Sequence, residues 1–397
     1  MNLAATLALA VTLFFLPLAW MLVDSIGGMR SKHSAAIGVG SYAEEDFAVL
    51  VPIYGSVAYL ENVDFLADYG SRVVLCTTTR ETDEFNAALQ AIASTHGFRT
   101  FYTDAVKTGT AGKRDTGGTV RDTVIRDVLP HLTEQYVVCI DADTTTVEPL
   151  QRLVGAMSAR GLDVASVRLV PSNAKNSILT RLQAYEYRLA MRLRIVAPWL
   201  VSGACHAGRT TVMREIMARH SMFFQGNDVE LGVLADAMNF TVGHVPFEVP
   251  TAVPETFRAW WRQHLAWAGG EFRLFVVNAK LGFRHPFFWS YGLILTILLL
   301  PLRWTALVGG NWVLLTMVVL YIALGLYLHW SDLDFALLLM PFYAAFVSLV
   351  LVPLGLWSYC SMAYRSRNAG IIRVPNRDEL QEIELRIGQY SSSPSVA

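Results

Sequence analysis

Two aspartates one residue apart, Asp141 and Asp143, follow directly on the apolar run Tyr136 to Ile140. Placed at a strand end, such a pair can approach one divalent cation carrying a diphosphate. Their hard oxygens suit Mg2+ or Mn2+, which take one or two carboxylates and keep phosphate oxygens and water in the other positions. An isolated Asp-x-Asp serves equally well as a solvated turn capping a helix, here expected from Thr144 to Met157. Three further groups extend the pattern. Gly112-Lys113-Arg114-Asp115 opens a predicted helix, where free backbone N–H groups and two cations favour a phosphate or carboxylate, or form an ordinary basic first turn. Asp228, in Phe223-Phe224-Gln225-Gly226-Asn227-Asp228, precedes a helical run as either an N-cap or a general base. Trp260, Trp261, Gln263 and Trp267 lie at helical spacing ahead of an apolar stretch, where interfacial anchoring alone would account for the tryptophans.

The elements that would position these residues are short β-branched runs at 47–54, 72–78, 136–141 and 163–170, alternating with helix-period segments such as 114–129 and 149–157. Runs that are apolar throughout, without alternation, belong to strands buried on both faces, and the βα order implies a mostly parallel sheet covered by helices. Ligands of such sheets bind at the carboxyl ends of the strands, where Asp141 and Asp143 fall.

The chain of 397 residues is 53% hydrophobic and 16% charged, too apolar for a wholly soluble protein. Its net charge of −1, without a basic block interleaved with aromatics, excludes nucleic acid as a partner. The four cysteines are scattered without a CxxC pair and imply neither zinc nor a disulfide framework. Residues 3–23 match the ~20 residues needed to cross a bilayer and are followed by Arg30, Lys32 and His33, which places the next segment in the cytoplasm. Further apolar stretches at 286–302, 306–328 and 335–357 bring the expected spans to four. The expected organisation is an N-terminal anchor (1–24), a cytosolic α/β domain ending in interfacial helices (46–284), about three C-terminal transmembrane helices (286–357) and a tail (358–397).

In this order and spacing, residues 46 to 275 resemble the processive family 2 glycosyltransferases, the branch of the hyaluronan, chitin and cellulose synthases. The resemblance implies a GT-A nucleotide-sugar-binding domain carried by transmembrane helices in the plasma membrane. It implies Tyr54 beside the nucleotide base, Lys113 and Arg114 near the donor, Asp141 and Asp143 on the metal, and Asp228 of GND as catalytic base. Gln263 to Trp267 would grip the donor in place of the family's QxxRW motif. The acceptor would meet Trp260, Trp261 and the Ser202 to Arg209 segment containing Cys205. Two positions depart from the family pattern: Ala266 stands where QxxRW has arginine, with Arg262 and Arg258 the nearest cations, and residues 77–83 offer no clear counterpart of the aspartate that contacts uracil.

The implied activity is inverting transfer of a sugar from a nucleoside-diphosphate sugar, UDP-linked, to a glycan hydroxyl in polysaccharide synthesis, with Mg2+ or Mn2+ as cofactor. The partners are the donor, a glycan or lipid-linked acceptor, the lipid bilayer and further copies of the chain. Two alternatives stand beside it: addition of one or a few sugars to a lipid or protein, and a non-catalytic nucleotide-binding scaffold.

Overall fold

The computed structural model describes residues 22–30, 46–103, 120–222, 226–277, 300–308, 312–330 and 333–366. Lys113, Arg114 and most of the apolar stretches 3–23 and 286–302 lie outside them. The chain forms two compact units, one made of Val39–Leu169, Pro198–Thr251 and Met362–Ala397, the other of Met1–Gly38, Val170–Ala197 and Ala252–Ser361.

The first unit is built on a seven-stranded sheet: β1 (Phe47–Pro52), β2 (Val73–Thr78), β3 (Arg99–Thr103), β4 (Tyr136–Ile140), β5 (Val164–Pro171), β6 (Cys205–Arg209) and β7 (Val242–Thr251), in the order β3-β2-β1-β4-β6-β5-β7. Every residue of β1, β2 and β4 is buried, as expected of the uninterrupted apolar runs that form them. Strand β1 pairs in parallel with β2 and with β4, Val49 facing Val73 on one side and Val138 on the other. The parallel expectation fails at β6, which runs antiparallel to both β4 and β5 and so makes the sheet mixed. Its sequence, Cys-His-Ala-Gly-Arg, is short and carries little β-branched character.

The helices of this unit are α1 (Val63–Ala67), α2 (Asp83–His96), α3 (Val120–Val128), α4 (Leu150–Ala159), α6 (Thr210–Arg219) and α7 (Asn227–Ala237); α5 belongs to the other unit. Helix α2 has a complete set of end signals: Thr82 accepts a hydrogen bond from the Phe85 N–H at 3.2 Å, and Gly97 closes the helix at φ 70°. Helix α3 buries Val120, Val124, Ile125 and Val128 at helical spacing, and also Asp122 and Thr123. Cys76, Cys139 and Cys205 are enclosed in strands as free thiols, and burial pushes each thiol well up, Cys139 to about 12.

The second unit is helical: α5 (Ile178–Val196), α8 (Phe257–Val277), α9 (Leu300–Val308), α10 (Trp312–Leu328), α11 (Ala336–Phe346) and α12 (Val352–Ser366). Ser177 and Thr180 form a reciprocal capping box at the start of α5. Helix α11 contains Pro341 and passes through a π turn, Val347–Leu351, into α12. The continuous helix Ala336–Tyr364, 29 residues that include an 18-residue stretch of mean hydropathy 2.3, is the one helix among the described residues long and apolar enough to cross a bilayer. At 1.5 Å per residue it is roughly 43 Å long, against ~30 Å of hydrocarbon.

Leu182, Tyr185, Trp260, Leu337, Met340 and Tyr343 form the core of the helical unit. Its centre is polar. Trp260 Nε1 donates to Tyr343 Oη at 2.9 Å, that hydroxyl donates to Glu186 Oε2 at 2.6 Å, and His264 Nε2 lies 2.9 Å from the same carboxylate oxygen. A buried indole and phenol need such partners, and each supplies the other's.

Candidate active site

The end of β4 is held from outside the strand. Asp141 N–H donates to Ala204 O at 3.0 Å, and Thr144 N–H returns to Asp141 O at 3.0 Å, closing a turn around Ala142. Buried Asn62 fixes that turn: its Nδ2 donates to Asp141 O at 3.1 Å and to Thr144 O at 2.6 Å, while the Glu61 and Asn62 N–H groups both donate to Ala142 O. The carbonyls are thereby satisfied, and the two carboxylates are presented on a fixed backbone. Helix α4 begins only at Leu150, after Pro149, so the Asp-x-Asp pair does not cap a helix starting at Thr144.

The two carboxylates have different surroundings. Asp141 Oδ1 accepts from Arg121 Nε at 2.8 Å; burial raises the carboxyl above its ordinary range, and the Arg121 guanidinium opposes that shift. Asp143 is exposed and accepts from the Thr144 hydroxyl at 3.1 Å.

Asp228 stands in the first turn of α7, where the helix dipole favours negative charge. The N-cap is Gly226, at φ 90°, so Asp228 is inside the helix and not its cap. Its carboxylate faces the 202–204 segment: a Cβ built on Gly203 would lie 3.4 Å from Asp228 Oδ2. Arg121 links this region to β4, since its Nη2 donates to Gly203 O and its Nη1 to Asp122 Oδ1 at 3.2 Å. Asn227 Nδ2 donates to the other Asp122 oxygen at 2.8 Å, and His220 Nε2 meets Asn227 O at 2.9 Å. Asp141, Asp143 and Asp228 are thus carried by one connected framework within the sheet unit.

Residues 136–361 match the family described as glycosyl transferase family group 2. The chain belongs to that family. An N-acetylglucosaminyltransferase of Bradyrhizobium diazoefficiens is 29% identical over 152 residues, covering 34% of this chain and 31% of the relative, so the chain spans about a third of that protein's length. The mannosyltransferase PcManGT of Pyrobaculum calidifontis, solved with GDP-Man and Mn2+, is similar in fold at a TM-score of 0.51 and 16% identity, over 93% of this chain and 97% of that one. Members of family group 2 are glycosyltransferases, as the family's description states.

Within this glycosyltransferase, Tyr54 is 40% exposed just beyond β1, beside Gly55 at φ 81°. Gly55 N–H donates to Glu81 Oε2 at 3.0 Å, and the Thr78 hydroxyl to Glu81 Oε1 at 3.2 Å, so Glu81 spans the ends of β1 and β2. Sequence spacing did not single it out.

Two residues expected to meet the acceptor are enclosed. Cys205 is 0% exposed in β6, and Trp260 is 1% exposed in the core of the helical unit, its indole N–H committed to Tyr343. Neither presents a surface to a sugar. Trp261 is half-buried against Phe257 and Phe346, and Trp267 is 41% exposed with Tyr187 and His264 beside its ring. These three, with Gln263, all lie on α8 in the helical unit.

Among the described residues no group of three or more His, Cys, Asp and Glu side chains could cage a metal ion. Asp143 and the Asp141 oxygen not bonded to Arg121 are hard oxygen donors, of the kind and number that Mg2+ or Mn2+ takes beside a diphosphate.

Proposed function

We propose that this glycosyltransferase is a membrane-embedded inverting enzyme that moves sugar from a UDP-sugar to a glycan hydroxyl in polysaccharide synthesis, with its sheet unit in the cytoplasm. Asp228 is the general base. The observation that carries this assignment is its carboxylate at the start of α7, tied through Asn227, Asp122 and Arg121 to Asp141 at the end of β4. A base that takes a hydroxyl proton must be held in register with the sugar whose diphosphate sits at the strand end, and this framework provides that register.

In the transfer, Asp228 accepts the acceptor's hydroxyl proton as that oxygen bonds to the anomeric carbon and the bond to the nucleoside diphosphate breaks on the opposite side. Asp143, with the oxygen of Asp141 turned away from Arg121, would hold Mg2+ or Mn2+, whose charge would offset that growing on the leaving diphosphate. Tyr54 provides a partly exposed ring for the base beside Glu81, and Lys113 and Arg114 serve the diphosphate. Trp267 and Gln263 serve the donor and acceptor from α8. The helix Ala336–Tyr364 and the apolar stretches of the sequence support insertion in a bilayer.

The test is nucleoside diphosphate release by the full chain in nanodiscs from UDP-glucose, UDP-N-acetylglucosamine and GDP-mannose, with and without Mn2+, beside Asp228→Asn. Metal-dependent release that Asp228→Asn lowers by about 10² or more supports the assignment. Full activity in Asp228→Asn refutes Asp228 as base, and equal release with chelator refutes the metal.

A further inference from the structure

Helix α3 carries Arg121 and Asp122 at adjacent positions, roughly 100° apart around the helix axis, yet both are largely withdrawn from solvent, with side chains 19% and 8% exposed. Arg121 spends three donors on three targets: Asp141, Asp122 and the Gly203 carbonyl. Asp122 uses one oxygen for Arg121 and the other for Asn227, at 3.2 and 2.8 Å. Two routes, both starting at Arg121, therefore lead from the Asp141 carboxylate to Asp228. One passes through Asp122 and Asn227, the covalent neighbour of Asp228. The other passes through Gly203, whose α-carbon faces the Asp228 carboxylate.

Burying a cation with its carboxylates is costly, and well-packed apolar residues of the same volume are often as stable or more so. What a buried network of charge-assisted hydrogen bonds supplies is fixed geometry, because each planar group admits few alternative arrangements. We infer that Arg121 and Asp122 are positioning residues for glycosyl transfer, holding the start of α7 and its Asp228 at a set distance from the carboxylates that face the donor diphosphate. The inference rests on Asp228 being the base. Neither residue touches the reacting atoms; each acts through Asn227, Gly203 or Asp141.

The test is a polarity swap. Asp122→Asn keeps the shape but leaves one acceptor for two donors. In the double variant Asp122→Asn/Asn227→Asp, the amide at 122 donates to the carboxylate at 227 while its oxygen still accepts from Arg121. With the full chain and whichever of UDP-glucose, UDP-N-acetylglucosamine or GDP-mannose turns over, Asp122→Asn and Asn227→Ala should each lower kcat by roughly 30- to 100-fold. Donor KM should stay within about threefold, and the swap should recover at least about tenfold of the lost kcat. Amide exchange of residues 227–234, which needs no turnover, should quicken in both single variants at least about tenfold more than that of β1 and β4, and revert in the swap. Single variants with kcat within threefold, a loss confined to KM, no recovery in the swap, or unchanged amide protection would each overturn the inference. Asp228→Asn measured alongside separates the two readings. If it keeps turning over, the base assignment has failed; if it is dead while Asp122→Asn and Asn227→Ala run normally, only the positioning inference has failed.

Discussion

Replacing Gly232 by alanine should slow transfer far more than it destabilises the protein. Gly232 lies four residues beyond Asp228 on α7, hence on the same helix face. A Cβ there would stand 1.8 Å from Trp199 O, 2.8 Å from Trp199 C and 2.9 Å from Val201 Cγ2. To bring the first contact merely to 3.0 Å, α7 and the 199–203 segment must part by about 1.2 Å, and the nearest atoms are backbone that cannot swing aside. Overpacking of this kind costs typically 1–3 kcal/mol, of which the better helix propensity of alanine returns at most about 1. With that full return the net loss is up to about 2 kcal/mol, which lowers Tm by up to roughly 8 °C in a unit of this size. A displacement of about 1 Å between base and substrate costs about 10² in rate, so kcat should fall about 100-fold with donor KM little changed. Circular dichroism melting and nucleoside diphosphate release read the two effects. Gly243→Ala is the control, because its Cβ meets Leu162 Cδ1 and Cδ2 at 2.6 Å, the movable end of a side chain. Gly232→Ala with kcat within threefold of the parent and an unchanged Tm would refute the argument.

Two further outcomes follow from buried polar groups. His206 is enclosed in β6, with Nδ1 on the Ser202 carbonyl at 3.1 Å, and burial lowers its pKa to about 4. The unfolded chain binds that proton near pH 6.5 and the folded one does not, so stability falls as pH drops below about 6.5, by about 1 kcal/mol at pH 5.5 and roughly 3 below pH 4. Melting of His206→Phe should lose this part of the slope between pH 6.5 and 5, and a slope identical to the parent's would contradict it. Asn62→Ala removes both side-chain bonds that hold the Asp-Ala-Asp turn, at 3.1 and 2.6 Å. It should cost about 1–3 kcal/mol and raise the Mn2+ concentration needed for half-maximal turnover, read by urea melts and metal titration; an unchanged metal requirement would show that the turn does not depend on Asn62.

The sequence disclosed the centre of the sheet and the location of the carboxylates, because strands covered on both faces must be apolar throughout. β1, β2, β4 and β5 each announce themselves, and Asp141 falls immediately after β4. β6 was illegible: five residues containing histidine, glycine and arginine carry neither a run nor an alternation, and only pairing with β4 and β5 makes them a strand. The framework residues were illegible for a different reason. Val120, Val124, Ile125 and Val128 declare a buried face, but Arg121 and Asp122 flank it as charges do on any exposed helix, and their burial is decided by Gly203 and Asn227, about 80 and 100 residues later. Asn62 and Glu81 are single polar residues in loops, and nothing local distinguishes them from solvated ones. The tryptophan pair on α8 illustrates the limit of interface patterns: Trp260 turns inward to Tyr343, whereas Trp261 is only half-buried.

The cysteines offer a practical handle. Thiol reagents react with the thiolate, so Cys76, Cys139 and Cys205, enclosed and pushed far above neutral pH, are silent in the folded protein. Cys360 lies on α12 near the end of the apolar helix Ala336–Tyr364, so a water-soluble maleimide meets at most this one sulfur in the folded chain. Three more become available as the sheet unit opens, and the number of sulfurs gained becomes a gauge of its folding that works in a detergent micelle or a native membrane without mutagenesis.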